Sequence, residues 1–287
     1  MAIFRWSSLL WSQLAAAVLL STPALDAAEQ GPVIAGTPGQ EAAAPATTES
    51  QREAAALLKG MADYLAGLKS FSVTFRAGYD VVQSTGQKIE FGETRRVALS
   101  RPDRLTMEEV ASDGKRDRVV FDGRRVSVLD ADNDVYAQVP QPGTIDDSLA
   151  YFVRDLRMRM PLALLLTTRL PDVVARSVTT IDYVESTEIL GVATHHVAGR
   201  TDNVDFQFWI RDGKSPLPLR VVITYTHSPG EPQFWANFAD WNTSPQFPDA
   251  AFEFKPPTGA KQIPFAVQVR RSAEADQQPN AKGEIEP

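Results

Sequence analysis

Apolar and polar residues alternate with a period of two along most of the chain, and the segment 204–211 shows this most clearly. Its apolar positions are Val204, Phe206, Phe208 and Ile210. Successive side chains of a strand point to opposite faces, so this spacing predicts a strand with one face on a core. A turn at Asp212-Gly213 and the two prolines after it predict a stiff connection to a second, antiparallel strand.

The same alternation predicts strands through both halves of the chain. The other predicted strands are 71–81, 89–99, 104–111, 118–121, 125–129, 135–139, 180–190, 192–199, 219–227 and 233–241, with a short one at 252–254. Asp-Gly turns separate several consecutive strands. Such turns join antiparallel neighbours, so we expect an antiparallel meander and not βαβ units.

Helical spacing replaces the alternation in two places. Ser50-Gln51-Arg52-Glu53 fits a capping box ahead of an apolar stripe over 57–68. Asp146 or Asp147 is predicted to cap a helix with Leu149, Phe152 and Leu156 on its apolar side. Pro161 suits the first position of a further helix through the leucine run 162–166. That run is either plain core or the lid or wall of an apolar pocket, and the pattern leaves both open.

The two ends of the chain differ from its middle. Residues 1–28 have a short positive start, an apolar run and a small-residue stretch, the layout of a cleavable signal peptide. The alternative, a membrane anchor, needs roughly twenty apolar residues, more than this run contains. We expect a flexible linker over 29–49, one folded domain over 50–265 and a disordered tail over 266–287.

The chain has no cysteine. Disulfides and thiolate catalysis are therefore excluded, and the exported product is predicted to be a periplasmic protein that is not a lipoprotein. Residues 1–28 contain one charge of each sign, so the mature chain keeps the net charge of −7. Such a chain lacks the positive surface that nucleic acid requires. The small arginine groups at 95–96, 124–125 and 154, 157 and 159 are either solvated or an anionic-ligand site.

Recognised catalytic and cofactor motifs are missing from the sequence. It contains no nucleophile elbow, phosphate-binding loop, dinucleotide fingerprint or zinc-protease motif. His195 and His196 are neighbours in a predicted strand and so point to opposite faces, as do Glu108 and Glu109. We therefore predict no cofactor, no metal and no enzymatic activity. A hydrolase using His196 or His227 with a carboxylate remains the weaker alternative.

One apolar face of such a sheet, closed by helices, can hold a hydrophobic chain. Burial stabilises each methylene by roughly 0.8 kcal/mol, so binding alone is a sufficient function. The candidate cavity residues lie on the predicted inner face or, for Leu164, in the leucine run. They are Phe71, Val73, Phe75, Tyr79, Phe91, Phe121, Val128, Leu164, Phe206 and Phe208. The same alternation is equally typical of side chains that only pack on one another.

Six short motifs occur in a fixed order along the chain. They are Arg101-Pro102-Asp103-Arg104-Leu105, Phe121-Asp122-Gly123 with the strand after it, Val135-Tyr136-Ala137, Pro161-Leu162-Ala163-Leu164-Leu165, Trp209-Ile210 with Pro216-Leu217-Pro218, and Pro256-Pro257-Thr258-Gly259-Ala260. Together they resemble domain of unknown function 2092, a family of predicted periplasmic bacterial proteins, over about residues 52–265.

That family is similar, in its Arg-Pro, Asp-Gly and leucine landmarks, to the LolA, LolB and RseB lipoprotein-carrier superfamily. The resemblance implies an α+β fold: an antiparallel β half-barrel with helices closing its concave face and an apolar cavity for acyl chains. It further implies a non-enzymatic binding protein whose partner is a lipid or an acylated protein. The regulator branch of the superfamily suggests an alternative, an envelope sensor or scaffold that binds another protein through its surface.

Overall fold

The structure, a computed structural model, describes residues 47–155 and 160–265. The predicted folded domain, residues 50–265, lies within these ranges apart from residues 156–159. The predicted signal peptide, nearly all of the predicted linker, the predicted tail and Leu156 lie outside the described residues.

The described chain forms one sheet of twelve strands in the order β12-β6-β5-β4-β3-β2-β1-β11-β10-β9-β8-β7. The strands are β1 Ser70–Val82, β2 Lys88–Ser100, β3 Arg104–Ala111, β4 Arg116–Phe121, β5 Arg125–Asp130, β6 Val135–Pro140, β7 Thr180–Ile189, β8 Val192–Arg200, β9 Asp205–Arg211, β10 Pro218–Thr224, β11 Gln233–Asn242 and β12 Lys261–Gln262. Every pair is antiparallel except β12 with β6.

Two meanders make up the sheet. One runs from β1 to β6, and the other runs from β7 back to β11, which pairs with β1 at the centre. Glycines with positive φ at Gly114 and Gly123 form the tight turns on either side of β4. The predicted antiparallel meander is thus confirmed, and the eleven long strands lie where the alternation predicts them. The predicted strand at 252–254 is wrong, because a 3₁₀ helix, Asp249–Phe252, ends there.

The first helix, α1, spans Glu49–Gly67 and begins one residue before the predicted capping box. Thr48 is its N-cap and forms the box with Gln51, so the predicted box at Ser50 is wrong. The Ser50 hydroxyl instead accepts a hydrogen bond from the Tyr183 N–H on β7. The buried stripe of α1, which includes Leu58, Met61 and Leu65, lies over β7, β8 and β9.

The region between the two meanders contains less regular helix than predicted. Helix α2, Ile145–Ala150, is capped by Thr144 and not by Asp146 or Asp147; Asp147 completes the capping box from the third position. A π-helical turn, Tyr151–Asp155, comes after it. No α-helix begins at Pro161: the leucine run forms only the 3₁₀ helix Ala163–Leu166. An unpredicted helix, α3 Leu170–Ser177, comes next.

One face of the sheet, the inner face, carries the main hydrophobic core. Helices α1, α2 and α3 and the leucine run all contribute buried side chains to this core. Phe252 is buried apart from it, and Phe254 contacts Tyr136, which alternates with the inward-facing Ala137. The segment leading to β12 therefore runs along the opposite, outer face.

Candidate functional site

A small cavity lies between the centre of the sheet and residues 160–166, which we call the covering segment. The sheet wall consists of Val73, Phe75, Val97, Met107, Phe238 and Trp241, together with one charged residue, Arg95. The opposite wall consists of Met160, Leu162, Ala163, Leu165 and Leu166. The cavity volume is ≈ 20 Å³. Such a space holds about one water molecule, so the covering segment fills the room that a larger ligand would need.

The strand register explains the sheet wall. Val73 on β1 lies opposite Val97 on β2, and Val97 lies opposite Met107 on β3. Residues directly opposite each other share a face of the sheet. The alternation in three strands thus becomes one apolar surface, and all three side chains are buried in the core.

Trp241 reaches this wall only because β11 is irregular. Phe234, Ala236 and Phe238 face inward, so strict alternation would place an odd-numbered residue outward. The register between β1 and β11 shifts near Asp240, which has a positive φ of 53°. A bulge of this kind inserts one residue and reverses the alternation. The Trp241 ring consequently lies 5.6 Å from the Phe71 ring and 5.8 Å from the Phe238 ring.

Of the ten predicted cavity residues, only Val73 and Phe75 line the cavity. Four others, Phe71, Phe121, Val128 and Phe206, are buried in the main core. The remaining four, Tyr79, Phe91, Leu164 and Phe208, are half-buried. Tyr79 and Phe91 stack at 6.1 Å at the far end of the β1–β2 hairpin. Ligand contact by any of the ten stays a prediction.

A buried charged group, which we call the acid–arginine cluster, adjoins the cavity. It consists of Glu93, Arg95 and Glu109. The Arg95 Nη2 atom lies 2.9 Å from Glu93 Oε1 and 3.0 Å from Glu109 Oε2. The three side chains are only 6–11% exposed. The Arg95 Nε–H is buried without a hydrogen-bond acceptor in the described chain.

Burial shifts the protonation of this cluster. Loss of water raises the pKa of Glu93 to about 7, although the charge of Arg95 acts in the opposite direction. The nearby Glu109 carboxylate adds to the increase. Two carboxylates sharing one guanidinium leave a net negative charge in a poorly solvated place, so a proton is held more tightly.

The cluster belongs to a polar row across the inner face. Arg95 lies opposite Glu109, Glu109 opposite Asp117, and Asp117 opposite Asp130. The next row along the strands is apolar, from Val97 through Met107 to strands β4 and β5. The inner face therefore has an apolar region bounded by a charged border, and Arg95 is the member of that border that touches the cavity.

Asp146 anchors the chain just after the covering segment. Its carboxylate accepts hydrogen bonds from the Thr168 N–H at 3.1 Å and from the Thr168 hydroxyl at 2.7 Å. It also lies 3.9 Å from Arg101 Nη1, whose side chain donates through Nε to the carbonyl of Leu68. Burial lowers the pKa of Arg101. These bonds tie the covering segment to α2 and to the end of α1.

Substituting Asp146 with alanine is expected to lower the free energy of unfolding by about 1–3 kcal/mol, because the hydrogen bonds from Thr168 to a charged carboxylate and the ion pair with the largely buried Arg101 side chain are lost. Chemical denaturation measures this change, and hydrogen exchange should become faster in the backbone around Thr168. The exposed Asp202, substituted in the same way, is the control, with an expected change within about 0.5 kcal/mol. Equal losses in the two variants would show that Asp146 is no anchor.

The three histidines do not form a shared site. His195 and His196 face opposite sides of the sheet, as predicted: His195 contacts Tyr183 and Asp212, whereas His196 stacks on Trp209 at 4.0 Å. The His227 ring contacts the Thr226 hydroxyl. Within residues 47–155 and 160–265, no three His, Asp or Glu side chains converge as metal ligands do.

A second, polar pocket of ≈ 410 Å³ opens beside α2 and β6. Arg154 and Arg169 line it with Gln141, Tyr151 and Asp147. Hydrogen bonds from the backbone and the hydroxyl of Thr144 lower the pKa of Asp147. Arg154, from the predicted arginine group at 154, 157 and 159, lines this pocket. Arg157 and Arg159 lie outside the described residues, and binding of an anionic ligand by this group stays a prediction.

The outer face carries a row of stacked side chains on β8 to β11, which we call the outer ladder. It consists of His196, Trp209, Arg220 and Trp235. The Arg220 guanidinium lies 5.5 Å from the Trp209 ring and 5.6 Å from the Trp235 ring. Trp235 lies so close to Gly78 that a Cβ there would be 2.6 Å from the ring, and its Nε1–H donates to Glu90. Stacking of this kind stabilises each contact by about 0.5–2 kcal/mol.

Comparison with known sequences identifies one family. The profile of the family described as "Predicted periplasmic protein (DUF2092)" matches residues 54–266. No curated protein shows significant sequence similarity to the chain. Among the described residues, no helix has both the length and the apolarity needed to cross a membrane.

Solved structures similar to this chain share little sequence with it. The lipoprotein LppX of Mycobacterium tuberculosis matches with 17% identity and a TM-score of 0.42, over 69% of this chain and 99% of LppX. LprF from Mycobacterium bovis matches with 14% identity and a TM-score of 0.44, over 69% of this chain and 96% of LprF. A LolA superfamily protein from Nitrosomonas europaea matches with 10% identity and a TM-score of 0.36, over 70% and 97% of the two chains.

Proposed function

Because the chain belongs to the DUF2092 family of predicted periplasmic proteins, we propose that it is a non-enzymatic periplasmic binding protein. Its ligand is the acyl chain of a lipid or of a lipoprotein. The acyl chain lies between the inner face of the sheet and the covering segment. The sheet forms a half-barrel whose concave face the helices close. Residues 1–28 direct export and are removed, and residues 50–265 form the binding domain.

The observation that carries this proposal is the cavity with apolar walls on both sides. Six apolar side chains of the sheet face five apolar side chains of the covering segment. A binding site for a hydrocarbon chain needs continuous apolar walls and few polar groups. Arg95 is the one charged residue among the described residues of the lining, so the walls meet this requirement.

The covering segment must move to admit a chain, because ≈ 20 Å³ is far smaller than an acyl group. Its 3₁₀ helix is four residues long and has no side-chain cap at its N-terminus. Short 3₁₀ helices have weak internal hydrogen bonds. Burial of about a dozen methylenes contributes on the order of 10 kcal/mol before the cost of displacement. The ligand thus replaces leucine side chains that fill its site when it is absent.

Mass spectrometry of the protein purified gently from its native periplasm, followed by solvent extraction, tests the proposal directly. We expect a lipid or an acylated peptide in roughly stoichiometric amount. The control is a known lipid-binding protein carried through the same procedure. If that control keeps its lipid and this protein yields none, the proposal fails.

Substituting Leu166 with glutamate is expected to weaken binding of a fluorescent acyl probe by about tenfold or more, because a carboxylate in the cavity must be desolvated. Leu166 is half-buried and lines the cavity. Leu190 is 95% exposed and does not line the cavity, so Leu190→Glu is the control. Fluorescence titration measures both. Equal affinities for the two variants would place the probe elsewhere.

The alternative function, an envelope module that binds another protein, is favoured by the outer ladder. Tryptophan and arginine dominate the energetics of protein interfaces, and Trp209, Arg220 and Trp235 are half-buried on the face opposite the helices. The variant with both tryptophans changed to alanine separates the two functions. The measurement is a pull-down from periplasm. If the natural sequence recovers one envelope protein in stoichiometric amount and the double variant loses it while keeping its affinity for the acyl probe, this alternative is favoured.

A further inference from the structure

The acid–arginine cluster points to the chemistry of the ligand's polar end. We propose that this end is an uncharged carbonyl, that of an ester or an amide, which accepts a hydrogen bond from the Nε–H of Arg95, and that free carboxylates and phosphates are disfavoured. This inference rests on the proposed function, because it concerns the same cavity.

The first step is the position of Arg95. It is the one charged side chain among the described residues of the cavity lining. Glu93 and Glu109 contact its Nη2 atom but do not line the cavity. A ligand in the cavity therefore contacts the Arg95 side chain and not the two carboxylates. A cationic head group would encounter a like charge there.

The second step is the unused donor. The Arg95 side chain is only 11% exposed, and its Nε–H is buried without an acceptor in the described chain. A buried donor without an acceptor is destabilising, and an acceptor supplied by a ligand removes that penalty. Carbonyl, carboxylate and phosphate oxygens can all accept this bond, so geometry alone does not choose among them.

The third step is charge, which distinguishes a neutral carbonyl from a carboxylate or a phosphate. Two carboxylates already lie 2.9 and 3.0 Å from the guanidinium, and Asp117 lies opposite Glu109 on the next strand. An anionic head group would add a further negative charge to a cluster that already has more carboxylates than guanidinium groups. Repulsion between like charges is strong where water is excluded. A neutral carbonyl accepts the same hydrogen bond without this repulsion.

The polar row determines how the bound ligand is oriented in the cavity. Arg95 belongs to the charged border, and the next row, with Val97 and Met107, is apolar. A carbonyl at Arg95 therefore places the attached hydrocarbon along Val97 and Met107 and beneath the covering segment. The head group would lie at the border of the apolar region and the chain within it.

The test uses three ligands of equal chain length: a free fatty acid, its methyl ester and its primary amide. Each ligand competes with a fluorescent acyl probe for binding to the full-length protein at about pH 8, where the fatty acid is ionised. We expect the ester and the amide to bind about tenfold more tightly than the acid. Glu93→Gln should raise the affinity for the acid and leave that for the ester unchanged. Glu108→Gln, on the outer face of β3, is the matched control.

Two results would overturn the inference. Equal affinity for acid and ester in the natural sequence would show that charge does not select the head group. An unchanged ratio in Glu93→Gln would show that the cluster does not set the selection. Failure of all three ligands and the probe to bind would instead contradict the proposed function itself, and the head-group inference with it.

Discussion

Substitution of Phe71 with alanine is expected to lower the free energy of unfolding by about 3–5 kcal/mol, as for other large side chains removed from a protein core. Phe71 is 0% exposed, lies opposite Leu99 and contacts the Trp241 ring. Its removal leaves a space that the surrounding strands cannot close. Urea denaturation followed by tryptophan fluorescence measures the change.

Phe91 provides the matched control for Phe71. It faces the same side of the sheet but is half-buried, and it stacks on Tyr79 near the end of the hairpin. Phe91→Ala should lower the free energy of unfolding by about 1 kcal/mol or less, since solvent can fill the space left at a half-buried site. Similar losses in both variants would mean that Phe71 is not part of a close-packed core.

Substitution of Glu93 with glutamine is expected to increase the stability of the protein near pH 8, by on the order of 1–3 kcal/mol. Glutamine keeps the size of the side chain and its acceptor for Arg95. It removes a carboxylate that is costly to ionise when buried. The side chain is only 6% exposed, so solvent does little to screen the effect.

The raised pKa of Glu93 determines whether stability rises or falls with pH. Glu93 has an ordinary pKa of 4.5, and burial raises the pKa to about 7 in the folded protein. Between these values the folded state holds a proton that the unfolded state has lost, so stability falls as pH rises from about 4.5 to 7. Glu93→Gln should flatten this part of the profile. Glu108→Gln, with a side chain 53% exposed, should leave it unchanged; a natural profile that rises with pH over this range would contradict the assignment.

The sheet could be predicted because alternation depends only on neighbouring positions. Eleven strands and the opposite faces of His195 and His196 result directly from a period of two. Trp241 could not be placed in the same way, because one inserted residue at Asp240 changes which face the next residue occupies. Such a bulge depends on pairing with β1, which is far away in sequence.

The acid–arginine cluster was missed although its signal was present. Glu93 and Arg95 lie an even number of residues from Phe91 and Val97, so they share the inner face. Reading Arg95 with Arg96 as a solvated pair was wrong for Arg95, whose side chain is 11% exposed. Charged residues are rarely buried without partners, and those partners come from β2 and β3, whose register the sequence does not state.

The leucine run shows a different limit. Its composition predicts a buried element, and that is confirmed, but it does not separate an α-helix from a 3₁₀ helix. Asp146, in α2, accepts hydrogen bonds from Thr168, which lies just before α3. These hydrogen bonds connect positions 22 residues apart, so local propensity contains no information about them.

The pairing of β1 with β11 determines when the cavity can exist. The cavity wall takes residues from β1, β2 and β3 and also from β11, and the hydrogen bond from Gln233 N–H to Asp80 joins positions 153 residues apart. Contacts this distant in sequence are slow to form, because closing a long loop is costly in entropy. A chain whose synthesis is incomplete has its first meander without β11. For the function proposed above, we therefore expect acyl-chain binding to begin only after β11 has paired with β1, so an incomplete chain has no site for a lipid.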